Sequence, residues 1–179
     1  LSSGGTPASY SSTGLPAGLI LNAATGVISG APTIASSQAT YMITATNPYS
    51  TVDTLIQITV KNPAVLSIPS AGFADTLSGQ TSAPVQFTVT NTGENDAIIS
   101  AVGLIFGDHF AITGGTCAPL LTLAQGASCS VIAVFNPTTI GVKADSLSVL
   151  YINGARMASA TTAFAGTSLD SKPTGLTYA

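Results

Sequence analysis

The sequence predicts an all-β protein made of two tandem β-sandwiches, and three observations support this fold class. Apolar and polar residues alternate with a period of two in several segments, for example at Val85, Phe87 and Val89, which is typical of half-buried strands. Turn signatures rich in Gly, Pro and Asn recur about every ten residues, as in sandwiches. No segment sustains the apolar period of a helix, so we expect almost no helix.

The composition indicates two domains and a secreted protein. The chain has 179 residues, slightly fewer than two sandwiches of about 100 residues each require, so we expect one of them to be short. Charged residues make up 6% and hydrophobic residues 45% of the sequence, whereas soluble domains usually contain about 25% charged residues. Little charge repulsion opposes association of such a chain with copies of itself.

The distribution of charge and hydropathy argues against two classes of partner. The four Lys and Arg residues are scattered along a chain of net charge −3, and no basic patch could neutralise several phosphates. No apolar run approaches the roughly 20 residues of a membrane span. We therefore expect no nucleic-acid partner and no membrane span.

Two short strands and two turns follow one another in residues 14–33. Leu15-Pro16-Ala17-Gly18-Leu19 leads into the apolar segment 19–21, and Thr25-Gly26 forms a turn before the segment 27–29. Gly30-Ala31-Pro32 ends this second segment, because proline cannot donate a hydrogen bond to a ladder.

This pattern resembles the He-PIG type of immunoglobulin-like repeat found in bacterial surface proteins, which is related to cadherin-like modules. The signature of that family reads LPxGL and then TGxIxGxP, and the resemblance covers residues 1–61, including two closing strands at 41–47 and 54–60. The resemblance implies an immunoglobulin-like sandwich and no particular reaction.

Compared with that family, the first module is expected to lack one or two N-terminal strands. Family members carry one or two strands before the LPxGL turn, whereas here 14 residues rich in Ser, Gly and Thr precede Leu15. Either the sequence is a fragment, or the missing strand comes from elsewhere. A sandwich without an edge strand exposes unpaired backbone groups, which another chain can satisfy by strand addition. Contacts of that kind that do not close generate filaments.

The second module is predicted to begin at Pro63, because the residue before a proline favours extended structure. Alternation and turn signals predict its strands at 64–68, 82–91, 97–106, 110–112, 128–135, 147–151 and 160–164.

The turns and cysteines of residues 63–165 resemble the ASH family, whose bacterial branch is called choice-of-anchor D and which is akin to the major sperm protein fold. Four features carry the resemblance: the turn Asn91-Thr92-Gly93, the strand at Phe110, the turn that carries Cys129, and the segment 135–138. The resemblance implies an immunoglobulin-like sandwich that stacks in tandem and mediates assembly without catalysis.

Cys117 and Cys129 are the two cysteines of the chain, and in a sequence of extracellular type such a pair predicts one disulfide. A metal pair or two buried thiols are the alternatives. A zinc site would need two further ligands, and His109 is the single histidine.

Other chemistry-bearing residues carry weak signals. Asp108 and His109 could form an acid–base pair, but neighbours on a strand point to opposite faces, so we expect them not to serve one substrate. Glu94 and Asp96 could share a face, yet calcium takes six to eight oxygen ligands. Tyr49, in a hairpin turn, is a weak candidate for an exposed contact. We therefore expect no catalytic, cofactor-binding or metal-binding residues.

These observations predict three segments: an incomplete or strand-complemented module at 1–61, a complete sandwich at 62–166, and a linker or donated strand at 167–179, where Leu176 to Tyr178 could form a strand. The predicted function is a non-catalytic structural module of a secreted bacterial surface protein, such as a repeat or subunit of an adhesin, stalk or extracellular filament that is assembled by β-sandwich stacking or strand addition. Its partners would be copies of itself or neighbouring immunoglobulin-like repeats. The alternatives are a module that binds carbohydrate or host protein, and an accessory domain of a large secreted enzyme.

Overall fold

The computed structural model describes residues 5–170, and it divides into two compact units. The first unit extends to Asn62 and the second begins at Pro63. All the regular structure in the described residues is β-strand, so the prediction of an all-β chain is confirmed. No helix long and apolar enough to cross a membrane occurs in that part of the chain.

The described part of the first unit contains five strands arranged in two small sheets. In chain order they are β1 (Ser9–Ser12), β2 (Leu19–Leu21), β3 (Ile28–Gly30), β4 (Ser36–Thr46) and β5 (Thr51–Val60). The larger sheet has the order β1-β4-β5 and is antiparallel, and β2 pairs with β3 in a separate hairpin.

Two glycines explain why the LPxGL and TGxIxGxP motifs occur together. Gly18 and Gly30 both have positive φ, of 93° and 109°, a conformation that glycine adopts without steric cost. A Cβ on Gly18 would collide with the carbonyl oxygen of Ala31, and a Cβ on Gly30 would collide with that of Gly18. The two motifs therefore bracket one hairpin whose ends approach too closely for any side chain.

The segment before Leu15 contains a strand, which corrects the expectation that the first module has none there. β1 pairs with β4 from Ser9↔Thr46 to Ser12↔Ile43, and the amide of Tyr10 donates to the carbonyl of Ala23 at 2.8 Å. A polar segment without apolar alternation can still form a strand when its backbone finds partners on both sides.

From Pro63 to Asp170, the second unit contains nine strands. In chain order they are β6 (Leu66–Ser67), β7 (Thr76–Leu77), β8 (Val85–Asn91), β9 (Ala97–Leu104), β10 (Phe110–Gly115), β11 (Thr122–Leu123), β12 (Ser128–Phe135), β13 (Gly141–Ile152) and β14 (Met157–Leu169). They form a four-stranded sheet of order β10-β12-β8-β6 and a five-stranded sheet of order β11-β9-β13-β14-β7. Every pairing is antiparallel except that of β14 with β7.

The two sheets of the second unit enclose one aromatic core. Phe73 lies in the loop between β6 and β7, and its ring centroid is 5.2 Å from that of Phe110 and 5.5 Å from that of Phe164. Phe87 and Phe135 complete the cluster and are almost fully buried. The alternation predicted for β8 is confirmed, since Phe87 and Val89 belong to the core cluster and Val85 packs against it.

The end of the second unit differs from the predicted segmentation. A break was expected after residue 166, but β14 continues to Leu169, where Ser168 and Leu169 pair in parallel with β7. The small residues of this stretch show no alternation of apolar and polar side chains. The pattern that predicts a strand therefore ends earlier in the sequence than β14 itself. Residues 171–179, including the candidate strand at Leu176 to Tyr178, lie outside the described residues.

Candidate functional site: an open strand edge in the first unit

The most conspicuous polar feature of the first unit is the outer edge of β5. Among the described residues, β4 is the sole sheet neighbour of this ten-residue strand. The opposite side of β5 therefore presents backbone N–H and C=O groups without a strand partner. Such an edge is a template for pairing with another chain.

The register identifies the residues whose backbone groups face outward. The carbonyls of Met42 and Thr46 accept hydrogen bonds from the β1 side of the sheet. In an antiparallel pair, the backbone N–H and C=O groups of two opposite residues point either toward each other or away from each other. Leu55 lies opposite Met42 and Thr51 lies opposite Thr46, so the backbone groups of Leu55 and Thr51 point away from β4. The direction of the backbone groups alternates along a strand, so every second residue of β5 has its N–H and C=O on the outer side. These residues, here called the free edge of β5, are Thr51, Asp53, Leu55 and Gln57.

The side chains beside the free edge are apolar and incompletely covered. Ile56 and Ile58 are half-buried, and Val52 is 67% exposed although it shares their face. Within the described part of the first unit, Ile43 is the one residue that is fully buried, at 9% exposure. The apolar face of the β1-β4-β5 sheet therefore lacks part of the cover that a sandwich normally supplies.

The charge on the free edge is low. Asp53 is the one charged residue of β5, and its carboxylate accepts a hydrogen bond from the hydroxyl of Thr44 at 2.7 Å. Natural edge strands are commonly protected by lysines, prolines, bulges or short length. β5 has neither lysine nor proline within its bounds, which leaves its edge open to pairing.

Cys117 and Cys129 form a disulfide in the second unit, with their Cα atoms 5.0 Å apart. Cys129 is a core residue on β12, whereas Cys117 follows β10 and donates its amide to the carbonyl of Ser130 at 3.0 Å. The bridge therefore ties the loop that contains β11 to the four-stranded sheet. Its position is structural, because the buried sulfur of Cys129 packs against core side chains.

Asp108 and His109 precede β10 in a loop and do not lie on a strand. Both line one pocket of about 220 Å³ together with Lys143 and Asp145. Asp145 is 4% exposed. Its carboxylate accepts hydrogen bonds from the backbone amides of Phe106 at 3.1 Å, Gly107 at 2.8 Å and Ser146 at 2.7 Å.

The hydrogen bonds beside this pocket hold a loop in place. The hydrogen bonds of Asp145 go to backbone amides, which hold residues 106–107 against β13. The pocket lining contains no serine, threonine or cysteine, and a nucleophilic hydroxyl or thiol is therefore lacking beside His109. The arrangement of the residues that line this pocket does not indicate a particular reaction.

The remaining sequence candidates do not come together in a site. Glu94 and Asp96 are exposed in the turn between β8 and β9. The described residues hold no group of three or more His, Cys, Asp and Glu side chains that could bind a metal ion. Tyr49 is 94% exposed at the tip of the β4–β5 hairpin, as its turn position predicts.

Asn91 is a structurally important residue whose side chain the sequence reading left without a role. It has 0% exposure, and its Nδ2 donates to the carbonyls of Asn95 and Leu123 at 2.8 and 2.9 Å. Its Oδ1 accepts the amides of Gly93 at 3.0 Å and Val65 at 3.3 Å. The Asn-Thr-Gly turn signal located this residue, but its long-range partners are visible only in the folded chain.

Comparison with known proteins gives a family match for the first unit. The family model described as "Putative Ig domain" matches residues 1–61, the range in which the He-PIG resemblance was found. No curated protein matches the chain.

Solved structures similar to this chain come from bacterial and human proteins. The VesB protease of Vibrio cholerae is 22% identical with a TM-score of 0.48, and the match covers 57% of this chain and 31% of that one. The ASH/PapD-like domain 7 of human CEP192 is 17% identical with a TM-score of 0.47, and the match covers 70% of this chain and 100% of that one. Human protocadherin-24 EC1-2 is 14% identical with a TM-score of 0.47, and the match covers 93% of this chain and 83% of that one.

The chain thus spans about a third of the length of the protease chain it resembles. Residues 1–61 match an immunoglobulin-like domain family, and the described residues as a whole form an all-β chain.

Proposed function

We propose that this chain is a non-catalytic structural module of a secreted bacterial surface protein, a repeat or subunit of an adhesin, stalk or filament. In this proposal the first unit is completed by a strand that a neighbouring copy adds along the free edge of β5. The observation that carries it is the combination of a ten-residue open edge with a single buried residue in the described part of that unit.

The energetic argument is that such a unit gains stability when its edge is covered. A domain of about 60 residues buries a smaller share of its surface than a larger one and is marginally stable. An added strand would pair with the outward groups of Thr51, Asp53, Leu55 and Gln57, and would cover Ile56 and Ile58. Main-chain pairing supplies affinity in strand addition, while side-chain pockets supply specificity.

The disulfide and the low charge support the proposed compartment and assembly. Disulfides persist in oxidising compartments such as the periplasm and the cell exterior, and Cys117 and Cys129 are bridged. With a net charge of −3 over 179 residues, copies repel each other weakly.

A charge placed on the free edge tests this proposal. Leu55 is 68% exposed and belongs to the outward set, so L55K should remain folded. A lysine there protects an edge from pairing, and we expect it to weaken self-association at least tenfold. Sedimentation velocity over a range of concentrations, with electron microscopy of the largest species, measures the effect.

The matched control is A24K, which adds the same charge at an exposed position in the β2–β3 turn. It should assemble like the unaltered chain. If the unaltered chain stays monomeric at every concentration, or if both lysine variants assemble equally well, strand addition between copies is wrong.

A further inference from the structure

The sequence of β5 is nearly symmetric about Leu55. At one position from Leu55 both neighbours are β-branched, at two positions both are polar, at three positions both are β-branched and aliphatic, and at four positions both are threonine. Two antiparallel copies of one strand, related by a two-fold axis, place each residue opposite its counterpart across the axis. A strand with this symmetry can therefore pair like with like when its partner is a second copy of itself.

We propose that the strand added along the free edge of β5 is β5 of a second copy, running antiparallel with the two-fold axis at Leu55. This inference rests on the proposed function, which assigns the added strand to a neighbouring copy without saying which strand it is. The symmetry of β5 supplies both the identity of that strand and its register.

The backbone groups of the free edge match in this register. An axis at Leu55 places Leu55 opposite Leu55 of the second copy, and Asp53 opposite Gln57 of the second copy. All three residues belong to the free edge, so their N–H and C=O groups point at each other and form hydrogen-bonded pairs that exchange two bonds each. A shift by one residue would place outward residues opposite inward ones, and these bonds would not form.

The polar side chains of the free edge also complement each other. Gln57 accepts a hydrogen bond at its Oε1 from Nε2 of Gln38 at 2.6 Å, so its own Nε2 remains available as a donor. Asp53 accepts a hydrogen bond at its Oδ1 from the hydroxyl of Thr44 at 2.7 Å, so its Oδ2 remains available as an acceptor. The two-fold axis brings this donor and this acceptor opposite each other twice, once on each side of Leu55. Hydrogen bonds to a carboxylate are stronger than those between neutral groups.

Other positions of the two-fold axis pair the side chains less well. An axis at Asp53 would place two carboxylates directly opposite each other, and like charges in that arrangement are destabilising. An axis at Thr54 would place Asp53 opposite Leu55, and an axis at Ile56 would place Leu55 opposite Gln57. The axis at Leu55 therefore pairs leucine with leucine and a carboxylate with a carboxamide.

The same register extends the apolar face of the sheet across the axis. Val52, which is 67% exposed, lies opposite Ile58 of the second copy, which is half-buried and on the same face. Two sheets of order β1-β4-β5 thereby join into one sheet of six strands in which neither β5 is an edge. The contact is self-complementary and closes, so it joins copies in pairs.

Cysteine cross-linking of the full chain tests the register. In the proposed pair, the two Cα atoms of residue 55 are about 5.5 Å apart, within the range of about 4.4–6.8 Å that a disulfide bridges. The two copies of residue 52 are about 20 Å apart along the strands. Under mild oxidation with copper phenanthroline, at concentrations where the unaltered chain associates, L55C should form a reducible covalent dimer at least ten times faster than V52C. Leu55 and Val52 are 68% and 67% exposed, so V52C is a matched control and both variants should remain folded.

A charge pair at Gln57 provides a second test that needs no cysteine. Gln57 is exposed and lies opposite Asp53 of the second copy in this register. Q57E should therefore weaken association at least tenfold in sedimentation equilibrium, whereas Q57K should keep it, because opposite charges attract across the strands and like charges repel.

The outcomes separate this inference from the proposed function. If the unaltered chain associates but L55C cross-links no faster than V52C, or if Q57E and Q57K associate equally, the added strand is not β5 in this register, while strand addition itself stands. A chain that stays monomeric at every concentration overturns both.

Discussion

At the scale of single residues, Asn91 connects three segments of the second unit. Its amide group bonds to the turn after β8, to β11 through Leu123, and to the start of β6 through Val65. A buried amide is stabilising when all its hydrogen-bonding groups have partners. This residue therefore fixes how two edge segments dock onto β8.

Replacing Asn91 tests that role. We expect N91A to lower the free energy of unfolding of the second unit by roughly 2–4 kcal/mol, because buried partners lose their hydrogen bonds. Urea denaturation followed by circular dichroism measures it. T88A, on the same strand but exposed, should change stability by less than about 0.5 kcal/mol. Equal stability of the two variants would show that the network contributes nothing.

The disulfide allows a second test at this scale. Its 12-residue separation corresponds in the chain-entropy treatment to about 3 kcal/mol. Denaturation with and without a reductant should therefore show that reduction destabilises the second unit by that amount. The first unit contains no cysteine and serves as an internal control. Superimposable curves for the second unit would contradict this account of the bridge.

At the scale of elements, the edge strands of the two units differ in length and regularity. In the described residues, β6, β7 and β11 are two-residue strands at or near sheet edges of the second unit, and β10 carries a register shift between Ile112 and Gly114. Short strands and irregularities discourage edge pairing. β5 has ten residues, and its edge is the exception that the proposed function uses.

The elements also show how far the sequence could predict this fold. β8 and β12 were predicted well because their apolar residues alternate and meet one core. β1 and the end of β14 were not predicted, because Ser9–Ser12 and the small residues after Phe164 have no apolar period. Their strand structure depends on backbone partners that lie far away in the sequence, which local patterns do not record.

For the candidate sites the same distinction applies. The Cys117–Cys129 pair could be proposed from cysteine number and setting, whereas the family pattern led to the wrong expectation that no strand precedes Leu15. The outward register of β5 required the hydrogen bonds of β4 with β1.

At the scale of the whole molecule, the two units differ in how much core they contain. The second unit encloses five of the six phenylalanines of the chain in one cluster, whereas the described part of the first unit has one buried residue, Ile43. Hydrophobic burial is the dominant favourable term in folding. The second unit is therefore the stable scaffold, and the first depends on what covers it.

Site-resolved amide hydrogen exchange by NMR tests the central claim, that a neighbouring copy covers the free edge of β5. In dilute solution the amides of Thr51, Asp53, Leu55 and Gln57 should exchange faster than those of Val52, Thr54 and Ile56, which bond to β4. At concentrations where the chain associates, exchange at the outward four should slow at least tenfold. If the inward amides are protected while the outward four exchange at one rate at every concentration, the edge stays open and the proposed strand addition is wrong.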